Sequence, residues 1–356
     1  MSRPLTVAIT GMNARADNPG PGVAVARCLK ESGRPVRLVG FAYDTLDPGL
    51  YLDDLFAATY LLPYPSAGEA AFLERLAGVH AESPIDVFIP CLDAEMPACI
   101  SLSEKLSAMG IRTFLPTAEQ FAMRAKDRLA AAAEAAKVEM PETQTVSSPG
   151  FFRSCTKEGW TYPLVVKGCF YDAVIVYDAQ QAIAAYHRIA AQWGHPVLAQ
   201  KYFTGEEYNL CTIGDGTGRM LGTVTMKKRA LTDKGKAWAG VCIADPAIES
   251  LAARLIETLK WRGPCEIEGI RSRTGEFRLL EINPRFPAWV YFTHGVGRNL
   301  PAALLDLIGG RPPPTFEPPR VGTMFIRYAQ EVIVPISAFE HVVTGGGRSL
   351  QEVGAK

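Results

Sequence analysis

The sequence has no charge surplus, no long apolar run and no paired cysteines, and each lack excludes a class of function. Lys+Arg and Asp+Glu each total 37 among 356 residues. A balanced chain lacks the basic surplus that broad binding to nucleic acid or anionic membranes requires. No stretch approaches the roughly 18 consecutive apolar residues of a membrane span. The eight cysteines, at positions 28, 91, 99, 155, 169, 211, 242 and 265, are dispersed. They form no Cys-x-x-Cys and no Cys/His set with zinc spacing, so they read as buried small hydrophobes or free thiols. Neither G-x-x-x-x-G-K-[ST] nor G-x-G-x-x-G occurs, which removes the P-loop and the dinucleotide fingerprint.

What is present is ordinary globular material, 48% apolar and 21% charged, in a length suited to two or three domains. The N-terminus enters a strand pattern at once, without a signal-peptide layout, which points to a cytoplasmic protein. Residues 5–9, 36–41, 85–89 and 111–115 are short apolar runs suited to a buried parallel sheet. Helical patterns lie between them near 22–32, 67–80 and 95–109, with Gly33 and Gly110 where helix C-caps belong. Residues 1–117 are therefore expected to form a doubly wound α/β unit. Asp44 and Asp93 follow strands of such a sheet, where substrates bind, although solvated loop acids are the commoner case.

Downstream, Thr117-Ala-Glu-Gln120 reads as a capping box opening one long helix to about Lys137. Tyr162–Gly168 is an apolar strand ending in Lys167, a cation that must snorkel or meet an anion. Asp245 and Pro246 read as N-cap and N1 of a helix with an apolar stripe at 248, 251, 252, 255, 256 and 259. Residues 214–218 form a hairpin turn. Residues 312–319 are a Pro-rich connector, 321–336 one or two returning strands, and the last ten residues a loose tail.

The most informative stretch is Glu281-Ile-Asn283-Pro-Arg285 with Glu268 upstream. Residues 265–270 and 276–283 both alternate as strands, and Thr274-Gly275 supplies a two-residue turn. Closure at Arg273 and Glu276 sets Glu268 opposite Glu281, with Asn283 two residues along the same face. Two adjacent carboxylates repel unless a cation sits between them. Two carboxylates and an amide oxygen form a hard-oxygen set of the kind Mg²⁺ takes while it also holds phosphates.

This hairpin resembles the metal-binding hairpin of the ATP-grasp superfamily, which includes biotin carboxylase, D-alanine–D-alanine ligase and the large subunit of carbamoyl phosphate synthetase. The family pattern, an acid followed on the next strand by Glu-x-Asn-Pro-Arg, falls on Glu268, Glu281, Asn283 and Arg285. Further matches follow in family order over about residues 1–310. They imply ATP binding by Lys126, by Lys167 at the α/β phosphates, and by a hinge of Gln200, Phe203 and Glu207. In that hinge Phe203 offers a backbone N–H to adenine and Glu207 takes the ribose hydroxyls. Gln200 stands where Glu is more usual. Residues 168–173 hold one glycine where relatives have a Gly-rich phosphate cover. Either that loop closes differently or Cys169, Phe170 and Tyr171 face the substrate. The basic run 227–236 matches the loop that brings a cation to the transferring phosphoryl group, for which Lys236 and Lys234 are the candidates.

The resemblance implies a pre-ATP-grasp domain at 1–117, a small lid subdomain at 118–200, a large subdomain with the metal site at 201–312, and C-terminal strands at 313–356. It implies an ADP-forming ligase that activates a small-molecule or peptide carboxylate as an acyl phosphate with Mg-ATP, Mn²⁺ being an alternative ion. Arg285 would orient the carboxylate, an amine or similar nucleophile would accept the acyl group, and the enzyme would be a homodimer. The alternative is a non-catalytic ATP-binding sensor or partner-binding module on the same fold.

Overall fold

The computed structural model describes residues 3–169 and 172–349, with Lys126 and Asp127 described by backbone alone. The chain runs β1 (Leu5–Ile9), α1 (Gly22–Lys30), β2 (Val36–Ala42), β3 (Ala58–Leu61), α2 (Glu69–Glu82), β4 (Val87–Ile89), α3 (Met96–Ser101), α4 (Ser103–Ala108), α5 (Ala118–Ala122) and α6 (Lys126–Ala135). It continues through β5 (Thr143–Val146), α7 (Phe151–Ser154), β6 (Leu164–Gly168), β7 (Ala173–Val176), α8 (Ala179–Trp193), β8 (Val197–Lys201), β9 (Glu206–Asp215), β10 (Met220–Leu231), β11 (Ala237–Ile243) and α9 (Pro246–Leu259). It ends with β12 (Arg262–Arg271), β13 (Phe277–Asn283), α10 (Tyr291–Gly295), α11 (Leu300–Ile308), β14 (Met324–Ile326), α12 (Ile336–Gly345) and β15 (Gly347–Ser349). Two compact units result: residues 1–122, 209–267 and 282–356 form one, and residues 123–208 and 268–281 the other.

In the first unit, strands are ordered β15-β3-β2-β1-β4. Strands β1 to β4 are parallel and β15 pairs antiparallel with β3. The chain leaves β1 toward β2 and β3 and returns to place β4 on the other side. The sheet therefore has a topological switch point between β1 and β4. The predicted parallel unit is present, with three differences. Residues 111–115 make a single bridge, Val87 to Arg112, because the chain then leaves the sheet. Arg262 draws it away, donating to Leu115 O at 2.7 Å and lying 4.1 Å from the Phe114 ring centroid. The short strand β3 was not anticipated. Near the C-terminus only β14 forms within the expected 321–336 strands, α12 follows without having been anticipated, and β15 takes up residues 347–349 of the expected loose tail.

Gly22 opens α1 beneath the end of β1, where a Cβ would lie 1.9 Å from Thr10 O and 2.6 Å from Met12 Cε. The backbone at this turn approaches too closely for any side chain. Gly22→Ala is expected to destabilise the protein by about 3 kcal/mol, read as a lower urea midpoint at unchanged slope.

The second unit is built on a four-stranded sheet ordered β5-β8-β6-β7. One face packs on α7 and α8 through Val146, Phe152, Leu164, Val166, Ala182, Tyr186 and Ile189. The capping box forms as expected. Thr117 N–H donates to Gln120 Oε1 at 2.9 Å, and Gln120 N–H donates to Thr117 Oγ1 at 3.1 Å. It does not open one long helix: the chain breaks after Ala122, and Ala125 is extended at φ −59°, ψ 135°. The break coincides with the passage from one unit to the other. A third sheet, ordered β13-β12-β9-β10-β11-β14, carries the hairpin singled out above.

Candidate functional site

Lys167 and Gln200 are brought together in the second unit. The register pairs Thr143 with Gln200, Val165 with Gln200, and Lys167 with Leu198. Directly paired residues and i, i+2 neighbours share a face. Thr143, Thr145, Lys167, Leu198 and Gln200 therefore line the face opposite α8. Lys167 Nζ donates to Gln200 Oε1 at 3.0 Å, and Gln200 Nε2 donates to Thr143 Oγ1 at 2.7 Å. Both Lys167 and Gln200 are buried. A cleft of about 600 Å³ opens on the same face, lined by Thr143, Thr145 and Leu198, by Ala130, Glu134 and Lys137 near α6, and by Arg278. Arg278 also lies over the Phe203 ring, 5.1 Å from its centroid. Phe203 is in the β8–β9 connection and Glu207 is half-buried on β9. Lys126 is the first residue of α6, and its side chain lies outside the described residues, as do Phe170 and Tyr171. Cys169 is half-buried, with Sγ 3.5 Å from Pro196 O.

The hairpin turn differs from expectation. Ser272 N–H donates to Glu276 O at 2.8 Å and Gly275 N–H to Ser272 O at 3.1 Å, with Gly275 at φ +93°. The loop thus holds three residues rather than two, a type I turn closed by a left-handed glycine. The pairing at the turn shifts by one residue from the predicted closure. Glu268 on β12 and Glu281 on β13 lie on neighbouring strands and are half-buried.

In the first unit, Asn283 and Arg285 converge on a residue that the sequence reading did not select. Glu266 is 3% exposed. Its Oε1 accepts from Asn209 Nδ2 and Trp289 Nε1, both at 2.6 Å, and its Oε2 accepts from Asn283 Nδ2 at 3.1 Å. Arg285 Nη1 lies 3.6 Å from Oε2. A buried carboxylate ringed by donors fixes the orientation of the groups that hold it. The available signal was its place two residues before Glu268 on one strand face.

Arg285 is itself pinned. Its Nε and Nη2 donate to Asp93 Oδ2 at 3.2 and 3.0 Å, and its Nη1 donates to Phe286 O at 3.3 Å. Asp93 sits just past β4 at the switch point. Beside it, Glu95 is fully buried and ties three strand ends together. Its Oε1 accepts from the N–H of Cys91 at 2.8 Å and of Leu92 at 2.9 Å, and from the Thr10 hydroxyl. Tyr43 donates its hydroxyl to Oε2. Burial pushes the Glu95 carboxyl above the usual range, opposed by these hydrogen bonds.

The basic run 227–236 spans the end of β10 and a tight turn closed by Thr232 N–H to Lys236 O at 2.8 Å. Lys234 Nζ lies 2.9 Å from Asp17 Oδ2 on the β1–α1 loop and holds that carboxyl below its usual range. Lys236 is exposed.

No family model matches the sequence. Solved structures do match the fold. A biotin carboxylase from Campylobacter jejuni, in complex with β,γ-ATP, aligns at TM-score 0.67 and 15% identity, covering 87% of this chain and 72% of that one. An L-amino acid ligase from Bacillus licheniformis aligns at TM-score 0.63 and 16% identity, covering 86% and 75%. The ADP complex of PurK, an N5-carboxyaminoimidazole ribonucleotide synthetase, aligns at 0.66 and 13%, covering 88% and 79%. All three are ATP-grasp enzymes. The chain has the ATP-grasp fold. Within this fold, the parallel sheet at the N-terminus and the antiparallel sheets that follow are the expected arrangement. No helix among the described residues is long and apolar enough to cross a membrane.

Proposed function

We propose that the chain is an ATP-dependent carboxylate ligase, activating a carboxylate as an acyl phosphate and passing it to an amine with release of ADP and phosphate. The observation that carries this reading is the hydrogen bond between buried Lys167 and Gln200 on the open face of a sheet, beside a cleft of about 600 Å³. A buried ammonium on such a face is suited to phosphate oxygens. Lys126, Gln200, Phe203 and Glu207 complete the nucleotide site, with Phe203 and Glu207 at the base and ribose. Lys236 and Lys234 serve the transferring phosphoryl group.

Glu268, Glu281 and Asn283 would hold Mg²⁺ or Mn²⁺. The donor set fits a hard cation. Asn283 gives its Nδ2 to Glu266, which turns the amide so that its oxygen, the atom a cation binds, lies at the other end. Bound there, the ion would offset charge developing on the phosphates. Arg285, fixed by Asp93 and Glu266, steadies the acyl phosphate. The carboxylate nucleophile needs no general base. In this reading residues 1–117 are the pre-ATP-grasp domain, 118–200 the lid, 201–312 the metal subdomain and 313–356 the C-terminal strands. We extend the reading to a cytoplasmic homodimer.

The test is ADP release from Mg-ATP across a carboxylate panel, with hydroxylamine present to trap acyl phosphate. Carboxylate-dependent ADP together with hydroxamate is the expected result. Tight ATP binding with neither product would transfer support to a non-catalytic sensor.

A further inference from the structure

The third sheet ends on β14, which pairs with β11 and is its edge strand. The register sets Met324 beside Val241 and Ile326 beside Ala239, and directly paired residues share a face. Phe325 turns to the other face, where its ring lies 5.1 Å from that of Phe292 in the core. Met324 and Ile326 point outward and are 52% and 62% exposed. Tyr328, two residues further on, is 71% exposed. The alternation repeats beyond the strand: Val332 and Val334 pack on the core, while Ile333 between them is 90% exposed.

Single apolar side chains on a surface need no explanation, but a concentration of them does. Of the fourteen large apolar side chains exposed among the described residues, seven fall within residues 321–343. Met324, Ile326, Tyr328, Ile333 and Ile336 leave roughly 700 Å² open to water, near the ~800 Å² that each partner gives to a stable interface. An edge strand also offers backbone N–H and C=O groups to any strand that approaches it.

We propose that this segment is the contact between two copies of the chain, joined edge to edge through β14. A strand paired antiparallel with its own copy obeys two-fold symmetry, so a single surface completes itself. Phe325 is the middle residue of β14. A two-fold axis there sets Met324 opposite Ile326 of the partner subunit, and apolar cross-strand pairs of this kind stabilise a sheet. Ala239, Val241, Met324, Ile326 and Tyr328 carry no charge, which gives an acidic or basic partner nothing to recognise. With 37 basic and 37 acidic residues, two copies also lack long-range repulsion. The proposal gives the homodimer of the preceding reading its interface, and it rests on that homodimer but on no step of the ligase chemistry.

The experiment is sedimentation velocity on the full chain between about 1 and 100 μM, beside Ile326→Lys. The wild type is expected to sediment as a dimer. The variant brings two like charges to the axis and should weaken association at least ~100-fold, leaving a monomer over the same range. A single copy does not bury Ile326, so unfolding of the dilute protein should be unchanged. Amide hydrogen exchange needs no variant, and it decides the matter should Ile326→Lys not fold. Residues 324–328 of the wild type should exchange more slowly at the high concentration than at the low one. A wild type that is monomeric throughout would overturn the proposal and pass this face to a different protein or to further polypeptide. A dimer that keeps its affinity in Ile326→Lys, or exchange at 324–328 that ignores concentration, would place the interface elsewhere and overturn it too. No ADP release with any carboxylate would instead defeat the ligase reading and leave this interface standing.

Discussion

Glu281→Gln is expected to lower carboxylate-dependent ADP release by at least ~10²-fold while leaving the fold intact. Gln keeps the shape of the side chain and one oxygen. It removes a full negative charge from the set proposed to hold the metal, and a neutral amide oxygen is a much weaker partner for Mg²⁺. Part of the loss should be recovered by raising the metal concentration, since the remaining ligands still bind. The stability effect should be small, because Gln keeps the shape of a half-buried side chain. Thermal unfolding in EDTA should therefore occur close to the wild-type temperature. Addition of Mg-ADP should raise the unfolding temperature of the wild type much more than that of the variant. Near-normal turnover in Glu281→Gln would remove the metal assignment.

Much of this architecture was readable from local pattern. Strand β1 occupies the predicted Leu5–Ile9. Helix α9 has Asp245 as its N-cap, with Pro246 following, and buries the predicted stripe of Ile248, Leu251, Ala252, Leu255, Ile256 and Leu259. These features are short-range, set by capping chemistry and a period of 3.6 residues. The features that were not readable depend on distant partners. The 118–137 segment has uniform helix propensity, without Gly or Pro, yet it breaks near Met123 where one unit ends. Strand β3 exists because it pairs with both β2 and β15, and four residues of Ala-Thr-Tyr-Leu carry no periodic signal of their own. The hairpin turn was mislocated by one residue, because Thr-Gly serves equally in a two-residue loop and at the end of a three-residue one. At the site, Lys167 and Gln200 were each selected through the family resemblance, while the hydrogen bond between them became visible only in the fold. The convergence of Asn209, Asn283, Trp289 and Arg285 on Glu266 required the fold, since those residues span more than 70 positions.

That convergence yields the second large effect. Glu266→Gln is expected to raise the Mg²⁺ concentration needed for half-maximal activity about 10- to 100-fold. In the wild type, Oε1 serves Asn209 and Trp289 and Oε2 serves Asn283. Gln can keep its oxygen toward Asn209 and Trp289, but its NH₂ group then confronts the NH₂ of Asn283. Two donors cannot pair. The Asn283 amide must turn over to restore the bond, which exchanges its oxygen for nitrogen at the proposed metal position. An amide nitrogen does not ligate Mg²⁺. Saturating metal should restore much of the activity, because the turned amide can be turned back at a cost that metal binding offsets. Glu266→Leu behaves differently. It leaves three N–H donors and Arg285 without their acceptor, and removal of one side of a buried ion pair typically costs about 3–5 kcal/mol. The two variants separate orientation from stability: the Gln variant should lose metal affinity with a small change in unfolding midpoint, and the Leu variant should lose stability first. A Gln variant that unfolds early yet keeps the wild-type metal requirement would show that Glu266 only holds the core together, and Asn283 would lose its place among the metal ligands.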